Sequence, residues 1–347
     1  MKKDPENILV IRLSSIGDIL LTTPLIRLLR RRFPNARIDY LVKEQFAALL
    51  RTSPYIDELY TLDTQQGHSA LKRLYRSLLK SGYDLVVDVH NNFRSAYLRR
   101  LRGARVVKLR KYKLQRFVLV KFGWNFYSSV RPVHQRYIDT VAGFGIHDDR
   151  LGLEFFPDPE AQRRVDDLLK QNGWNAGRAT IAIVPGASKE TKRWPVERFD
   201  KAAQQLGAEF DAQILLLGDT RDARLTDILR QSLGNAAIDF AGKLDIMESA
   251  CALNRAHLAL TNDSGLMHMA AALDKPVVSI FGSTVRELGF FPVGRRTVVI
   301  ENNNLSCRPC THIGRASCPK KHFKCMQDID ADEVFQAAAE LLHESLP

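Results

Sequence analysis

The chain has 347 residues, 45% of them hydrophobic and 26% charged, with 20 glycines and 14 prolines. This length is enough for two ordinary domains, and the composition excludes a disordered, collagen-like or low-complexity protein. No apolar run approaches the roughly 20 residues of a membrane-spanning helix. The N-terminal residues lack a signal-peptide core, so we expect a cytoplasmic protein.

The net charge is +12, from 51 basic and 39 acidic residues, and the basic excess is concentrated in one stretch. Residues 89–138 contain many Lys and Arg but no Asp or Glu. Such a stretch attracts nucleic acid, an acidic membrane surface or a phosphorylated substrate. A solvated basic face without a partner is the alternative. Since no RNA-binding fingerprint or helix-turn-helix pattern accompanies the stretch, we do not expect nucleic acid as a partner.

In the first half of the chain, short apolar runs alternate with amphipathic stretches. The runs predict strands at 8–13, 38–42, 58–62, 85–89 and 105–109. Helical periodicity covers residues 19–33 and 69–81. Near-continuous apolar runs such as 8–13 are typical of parallel strands that are covered on both faces.

The second half repeats this pattern. It predicts strands at 180–185, 213–218, 237–241, 258–261, 277–282 and 297–301, and helices at 196–206, 221–233, 246–254, 265–273 and 331–342. We therefore predict an α/β fold with two doubly wound, Rossmann-like domains that face a central cleft. The boundary between the two domains is predicted at 148–159, where polar residues, a glycine and prolines interrupt the pattern. The predicted domains are residues 1–155 and 156–330, followed by a C-terminal helix over 331–347.

The first turn, residues 12–18, follows a predicted strand and opens a helix. Its small residues Ser14, Ser15 and Gly17 let backbone N–H groups approach a ligand. Asp18 could take a proton from a sugar hydroxyl as a general base. The alternative is an ordinary acidic residue in the first turn of a helix. There is no GxGxxG motif, so a dinucleotide cofactor is not indicated.

Two further turns carry polar residues after strands of the second half. Residues 185–195 combine hydroxyls with cations, among them Ser188 and Lys192, which suits a diphosphate; a basic surface loop is the alternative. Residues 260–268 include Asn262, Asp263 and Ser264, which could cap a helix or hydrogen-bond a sugar and its phosphates.

Four cysteines follow near the C-terminus with the spacing C-x2-C-x7-C-x6-C. They are Cys307, Cys310, Cys318 and Cys325. Four thiolates could hold a structural zinc ion, although this is not a standard finger spacing. Reduced thiols are the alternative, since disulfides are rare in cytosolic proteins.

Taken in order, these turns resemble motifs of the bacterial heptosyltransferases of glycosyltransferase family 9, including heptosyltransferase II-like members. The matching segments are LSSIGDIL at 13–20, DLVVDVHNNFRS at 84–95, GAS at 186–188 with KRWP at 192–195, and NDSGLMH at 262–268. The resemblance extends from about residue 7 to about residue 339.

The resemblance implies a GT-B architecture and inverting transfer of heptose from ADP-L-glycero-β-D-manno-heptose to the inner core of lipopolysaccharide. It implies Asp18 as general base and Lys192 as the cation that neutralises the leaving diphosphate. The implied acceptor-binding residues are Ser14, Ser15, Gly17, Asn92 and Arg94. The implied donor-binding residues are Ser188, Asp222, Asn262, Asp263, Ser264, Gly265, Met267 and His268. Asp222 stands where the family often has a Glu that hydrogen-bonds the ribose, and its side chain is one methylene shorter.

On this interpretation the partners are the ADP-sugar donor, a lipopolysaccharide core precursor and an anionic inner-membrane surface, which the protein would meet peripherally. No metal or other cofactor is required, because a lysine and a helix N-terminus can stabilise the departing diphosphate. The alternative function is another GT-B sugar-nucleotide transferase with a different donor or acceptor. A nucleic-acid-binding protein that uses residues 89–138 is the alternative from a different class.

Overall fold

The computed structural model describes residues 3–346, which divide into two compact units. The first unit contains the described residues up to Lys111 together with Arg131–Phe156. The second contains Tyr112–Val130 and the described residues from Pro157 onward. Residues 112–130 therefore group with the second unit, whereas the sequence placed them inside the first domain. Among the described residues, no helix is both long enough and apolar enough to cross a membrane.

Within residues 3–346, eleven strands form two parallel sheets, one in each unit. The strands are Asn7–Ile11 (β1), Arg37–Lys43 (β2), Glu58–Leu62 (β3), Leu85–Asp88 (β4), Arg105–Lys108 (β5), Thr180–Val184 (β6), Gln213–Leu216 (β7), Ala237–Asp239 (β8), Leu258–Asn262 (β9), Val277–Phe281 (β10) and Thr297–Glu301 (β11). Their order is β3-β2-β1-β4-β5 in the first sheet and β11-β10-β9-β6-β7-β8 in the second. The predicted strand positions and the α/β class with two parallel sheets are confirmed.

The described residues form thirteen α-helices, most of which connect consecutive strands. They are Ile16–Leu20 (α1), Thr23–Arg32 (α2), Gly67–Lys80 (α3), Phe93–Leu98 (α4), Lys113–Phe122 (α5), Val133–Ile138 (α6), Pro159–Gln171 (α7), Val196–Phe210 (α8), Ala223–Leu233 (α9), Ile246–Asn254 (α10), Gly265–Ala272 (α11), Lys324–Gln327 (α12) and Ala331–His343 (α13).

The single helix predicted over 19–33 is wrong, because the structure has two helices there. Helix α1 ends at Leu20, and α2 begins at Thr23 with Pro24 in its first turn. The hydroxyl of Thr22 donates to the carbonyl of Ile19 (2.6 Å), and the hydroxyl of Thr23 donates to that of Leu20 (2.8 Å). These side chains occupy carbonyls that a continuous helix would use, and proline has no N–H to continue it.

Both sheets have a position where the chain reverses its direction of winding. It lies between β1 and β4 in the first sheet and between β6 and β9 in the second. The strands on both sides are covered; Ile8, Val10 and Ile183, for example, are fully buried. Open α/β sheets bind ligands beyond the carboxyl ends of the strands at such switch points. The loops that follow β1, β4, β6 and β9 are therefore the places to look for function.

Candidate active site

Asp18 lies in the first turn of α1, just beyond the carboxyl end of β1. Ser15 caps this helix. Its backbone N–H donates to Asp18 Oδ2 over 3.3 Å, and its hydroxyl lies 3.1 Å from the same oxygen. The capping box fixes the carboxylate at the switch point of the first sheet, so the cap role and a chemical role are compatible.

Two side chains that the sequence analysis did not single out hold the other oxygen of Asp18. The guanidinium of Arg12 pairs with Asp18 Oδ1 at 2.7 Å, and the hydroxyl of Tyr137 donates to it over 3.1 Å. Arg12 also donates to the carbonyl of Val89 (2.8 Å), which ties the end of β1 to the end of β4. Arg12 immediately follows β1, which is a local signal, but Tyr137 is distant in the chain and gives none.

The surroundings of Asp18 keep its carboxylate ionised. Burial raises the pKa of Asp18, but the charge of Arg12 and the hydrogen bonds from Ser15 and Tyr137 outweigh burial and hold this pKa below its usual value. Burial also raises the pKa of Tyr137 well above its usual value, so its hydroxyl stays protonated as a donor. Asp18 can therefore accept a proton at neutral pH.

The loop after β4 is the second part of this switch point. Asn92 caps α4 by accepting from the N–H of Ser95 (3.0 Å), and its amide lies 2.6 Å from Nε2 of His90. Asp88, at the end of β4, is fully buried and pairs with Arg99 at 2.6 Å. Burial lowers the pKa of His90 to about 4, so this imidazole is neutral at physiological pH.

The remaining predicted acceptor-binding residues differ in burial and in the contacts they make. Ser14 is half-buried, and its carbonyl accepts from Nε of Arg12 at 2.8 Å. Gly17 is buried inside α1. Arg94 lies 4.9 Å from the ring centre of Phe93, which is itself 74% exposed. Of these three, only Arg94 presents a charged group together with an exposed ring.

In the second unit, the structure brings Lys192 and Asp263 together. Lys192 follows β6 and Asp263 follows β9, and Lys192 Nζ lies 2.7 Å from Asp263 Oδ2. The hydroxyl of Thr284, in the loop after β10, donates to the same oxygen over 2.7 Å. Both members of the ion pair have little exposed side-chain surface. The predicted phosphate-binding cation is therefore already paired with a carboxylate.

Asn262 connects the two loops of this second switch point. Its amide donates to the carbonyl of Pro185 (2.8 Å), and its amide oxygen accepts from the backbone N–H of Trp194 (3.0 Å). Asn262 is fully buried. Its side chain thus fixes the loop that carries Lys192.

Helix α11 begins at this switch point. Ser264 caps it and accepts from the N–H of Met267 (3.3 Å). Ser264 and Gly265 are half-exposed, whereas Met267 and His268 are buried. A helix N-terminus with exposed backbone favours an anion, so Ser264 and Gly265 are the members of this motif that a phosphate could reach.

Asp222 stands at the N-cap position of α9, accepts from the N–H of Asp219 (3.1 Å) and packs against the loop after β6. A Cβ atom on Gly186 would lie 2.1 Å from Asp222 Cγ, so only glycine fits at this position. Arg193 lies 3.5 Å from Asp222 and donates to the carbonyl of Ala187 over 2.9 Å. Burial raises the pKa of Asp222. Ser188, also predicted to bind the donor, is exposed on the same loop.

The four C-terminal cysteines line one small cavity together with His322. All five cysteines of the chain are free, and Cys307 Sγ lies 3.8 Å from His322 Nε2. Burial raises the pKa of Cys325 to about 11, so this group is a neutral thiol at physiological pH. Across residues 3–346, no three His, Cys, Asp or Glu side chains are grouped as metal ligands. The structural-zinc alternative for these four cysteines stays a prediction.

Comparison with known proteins finds relatives along most of the chain. The model of glycosyltransferase family 9 (heptosyltransferase) matches residues 71–321. The chain is 27% identical to lipooligosaccharide heptosyltransferase 2 of Haemophilus influenzae over 292 residues, which are 80% of this chain and 84% of that protein.

Solved structures share the fold. The glycosyl transferase family 9 protein of Veillonella parvula superposes with a TM-score of 0.83 at 24% identity, over 99% of both chains. The ADP-heptose lipopolysaccharide heptosyltransferase II of Escherichia coli superposes with a TM-score of 0.74 at 22% identity, over 97% of this chain and 99% of that one. The predicted GT-B fold class is thereby confirmed.

Proposed function

Because the chain belongs to glycosyltransferase family 9, we propose that it transfers heptose from ADP-L-glycero-D-manno-heptose to the inner core of a lipopolysaccharide precursor, with inversion at the anomeric carbon. The observation that carries this proposal is the ionised carboxylate of Asp18 at the switch point of the first sheet. The names of the similar proteins, heptosyltransferases that act on lipooligosaccharide or lipopolysaccharide, support the choice of donor and acceptor.

The reaction needs one proton acceptor and one group that stabilises the leaving diphosphate. The acceptor hydroxyl attacks the anomeric carbon as its proton passes to Asp18, and the bond from that carbon to the phosphate oxygen breaks with its electron pair on ADP. Lys192 and the N-terminus of α11 stabilise the charge that develops on the diphosphate. The proton then leaves Asp18 for solvent.

The donor phosphates compete with Asp263 for Lys192. In the structure Lys192 Nζ lies 2.7 Å from the carboxylate, and Thr284 donates to the same oxygen. A diphosphate carries more charge than one carboxylate and accepts several hydrogen bonds, so it can draw the ammonium group toward itself. Asp263 orients Lys192 and balances its positive charge.

The same proposal places the reaction at the cytoplasmic face of the inner membrane, because the acceptor is an amphiphile. The basic stretch over 89–138, which has no acidic residue, supports peripheral binding to an anionic surface.

The test is a transfer assay with ADP-heptose and defined truncated acceptors, read by mass. We expect Asp18→Asn to lower turnover by at least about a hundredfold, since it removes the proton acceptor, with ADP binding unchanged. Near-normal turnover in this variant would remove Asp18 from the role of base.

A matched control separates chemistry from stability. Asp39 is buried in β2 and, like Asp18, is held by an arginine and a tyrosine: Arg37 Nε lies 2.9 Å from Oδ1, and the Tyr83 hydroxyl donates over 2.6 Å to Oδ2. Asp39→Asn therefore breaks an equivalent pair in the same unit but outside the switch point. We expect it to lower the melting temperature and to keep turnover at temperatures where it is folded.

A further inference from the structure

Residues 112–130 carry an unusual concentration of exposed apolar side chains. Leu114, Phe117, Phe122, Trp124 and Phe126 are each between 54% and 71% exposed, and we call these five the aromatic surface. Scattered exposed apolar residues need no explanation, but a contiguous group marks an interaction site. The proposed chemistry at the two switch points uses none of these residues.

Local structure explains how these side chains come to the outside. On α5, Leu114, Phe117 and Lys121 are spaced i, i+3 and i+7 and share one face, while Leu119 on another face is buried. Gly123 ends the helix with a left-handed φ of 73°, so the chain turns there and Trp124 follows on the surface.

The four rings lie next to one another on the surface. The centroid distances are 6.2 Å for Phe117 to Phe122, 5.5 Å for Phe122 to Trp124 and 6.4 Å for Trp124 to Phe126. Asn125, between the last two rings, donates to Glu287 over 3.1 Å and fixes the loop to the second unit. The four rings of the aromatic surface therefore form a connected patch, and the loop that carries two of them is anchored.

Cations border this patch, and an acidic residue beside it, Glu287, comes from outside the stretch 89–138 and accepts from Asn125. Lys113 and Lys121 are exposed on α5, near the two ends of its apolar face. No Asp or Glu occurs over 89–138. A second copy of this chain would bring the same positive charge to the contact, whereas an anionic surface is complementary to it.

We propose that the aromatic surface inserts into the headgroup region of an anionic lipid bilayer, with Lys113 and Lys121 at the lipid phosphates. Aromatic rings settle at the boundary between acyl chains and water, and lysines can bury their stems while their ammonium groups reach the phosphates. This rests on the proposed function only in requiring that the acceptor be held in a membrane. It adds apolar insertion to the electrostatic attraction of the basic stretch.

The experiment measures binding of the full chain to mixed vesicles of phosphatidylglycerol and phosphatidylcholine by co-sedimentation. The test variant is Phe117→Ser with Phe126→Ser, which keeps every charge. The control is Leu151→Ser with Ile228→Ser, two residues that are also exposed but lie outside 89–138. We expect the test variant to lose at least about tenfold in vesicle affinity and the control to bind like the unaltered protein.

The fluorescence of Trp124 gives a second readout, which charge attraction without insertion would not change. It is 61% exposed, whereas Trp194 is 2% exposed. On insertion we expect a blue shift of tryptophan emission and quenching by lipids that carry bromine in their acyl chains. Trp124→Phe keeps a ring in the patch and should remove most of the signal while vesicle binding persists.

Three results would overturn the proposal. They are unaltered vesicle affinity in the Phe117→Ser, Phe126→Ser variant, no binding of the unaltered protein to anionic vesicles, and lipid-free dimers that this variant dissociates. Transfer to a truncated, water-soluble acceptor is assayed in parallel. We expect the test variant to retain it, and absence of transfer in the unaltered protein would count against the proposed function but not against membrane docking.

Discussion

Replacing Tyr137 by phenylalanine tests the base with little disturbance of its surroundings. The hydroxyl of Tyr137 donates to Asp18 Oδ1 over 3.1 Å, and the guanidinium of Arg12 lies 5.5 Å from the centre of the Tyr137 ring. Phenylalanine keeps that ring beside Arg12 and removes only the hydroxyl. The variant therefore isolates one hydrogen bond to the ionised form of Asp18.

The direction and size of the effect follow from this bond. A hydrogen bond to a charged group contributes about 1.5–3 kcal/mol, and one pKa unit corresponds to about 1.4 kcal/mol. Because the lost bond favours the ionised form, the pKa of Asp18 should rise. Asp18 must be ionised to act as the base. As the pH is lowered, turnover in Tyr137→Phe should therefore begin to decline at a higher pH than in the unaltered enzyme. The plateau near neutral pH should change little.

The assay is initial transfer rate against pH at saturating donor and acceptor. Tyr83→Phe is the control, because it removes an equivalent tyrosine hydroxyl from the buried carboxylate of Asp39 (2.6 Å). We expect the acidic limb to move to higher pH in Tyr137→Phe and to stay in place in Tyr83→Phe. An unchanged limb in both variants, or an equal shift in both, would refute the role of Asp18 as the titrating base.

Two predictions concern the donor side. Lys192→Ala should weaken ADP binding by about 1.5–3 kcal/mol in calorimetry, and turnover should fall at least as much, because the contact strengthens as the diphosphate leaves. Adding Asp263→Asn to Lys192→Ala should restore part of the lost ADP affinity, since the unpaired carboxylate repels the diphosphate. A further loss in the double variant would contradict the view that Asp263 acts on the donor only through Lys192. Gly186→Ala places a Cβ 2.1 Å from Asp222 Cγ, so we expect about 1–3 kcal/mol of destabilisation on unfolding and weaker ADP binding. Gly207→Ala, whose nearest new contact is 3.9 Å, is the matched control and should do neither.

The strands were predictable because their signal is local. Runs such as residues 8–11 and 180–184 are apolar at almost every position, and the structure buries them completely or nearly so. The break between α1 and α2 was missed, although Pro24 and two threonines before it carried the signal. The grouping of 112–130 with the second unit is set by tertiary contacts, which the local pattern of α5 does not record.

The candidate site likewise contains residues that the sequence could identify and residues that it could not. Asp18, Lys192 and Asp263 each follow a strand in a motif, so the sequence could single them out. Their partners could not be found in that way, because Tyr137 and Thr284 approach from elements distant in the chain. The pairing of Lys192 with Asp263 likewise depends on β6 and β9 being neighbours, which only the sheet order reveals.

The hydrogen bonds of Asp18 also limit how an acceptor can bind. An ionised carboxylate offers about four acceptor positions, and Asp18 receives Arg12, Tyr137, and both the N–H and the hydroxyl of Ser15. On the proposed mechanism, an acceptor hydroxyl must therefore displace one of these donors before it can give up its proton to Asp18. Arg12 and Tyr137 are buried and the Ser15 N–H belongs to the helix cap, whereas the Ser15 hydroxyl is on an exposed residue and can rotate away. The acceptor should thus reach Asp18 through Oδ2, from the side of Ser15, while Arg12 and Tyr137 hold Oδ1 throughout the reaction.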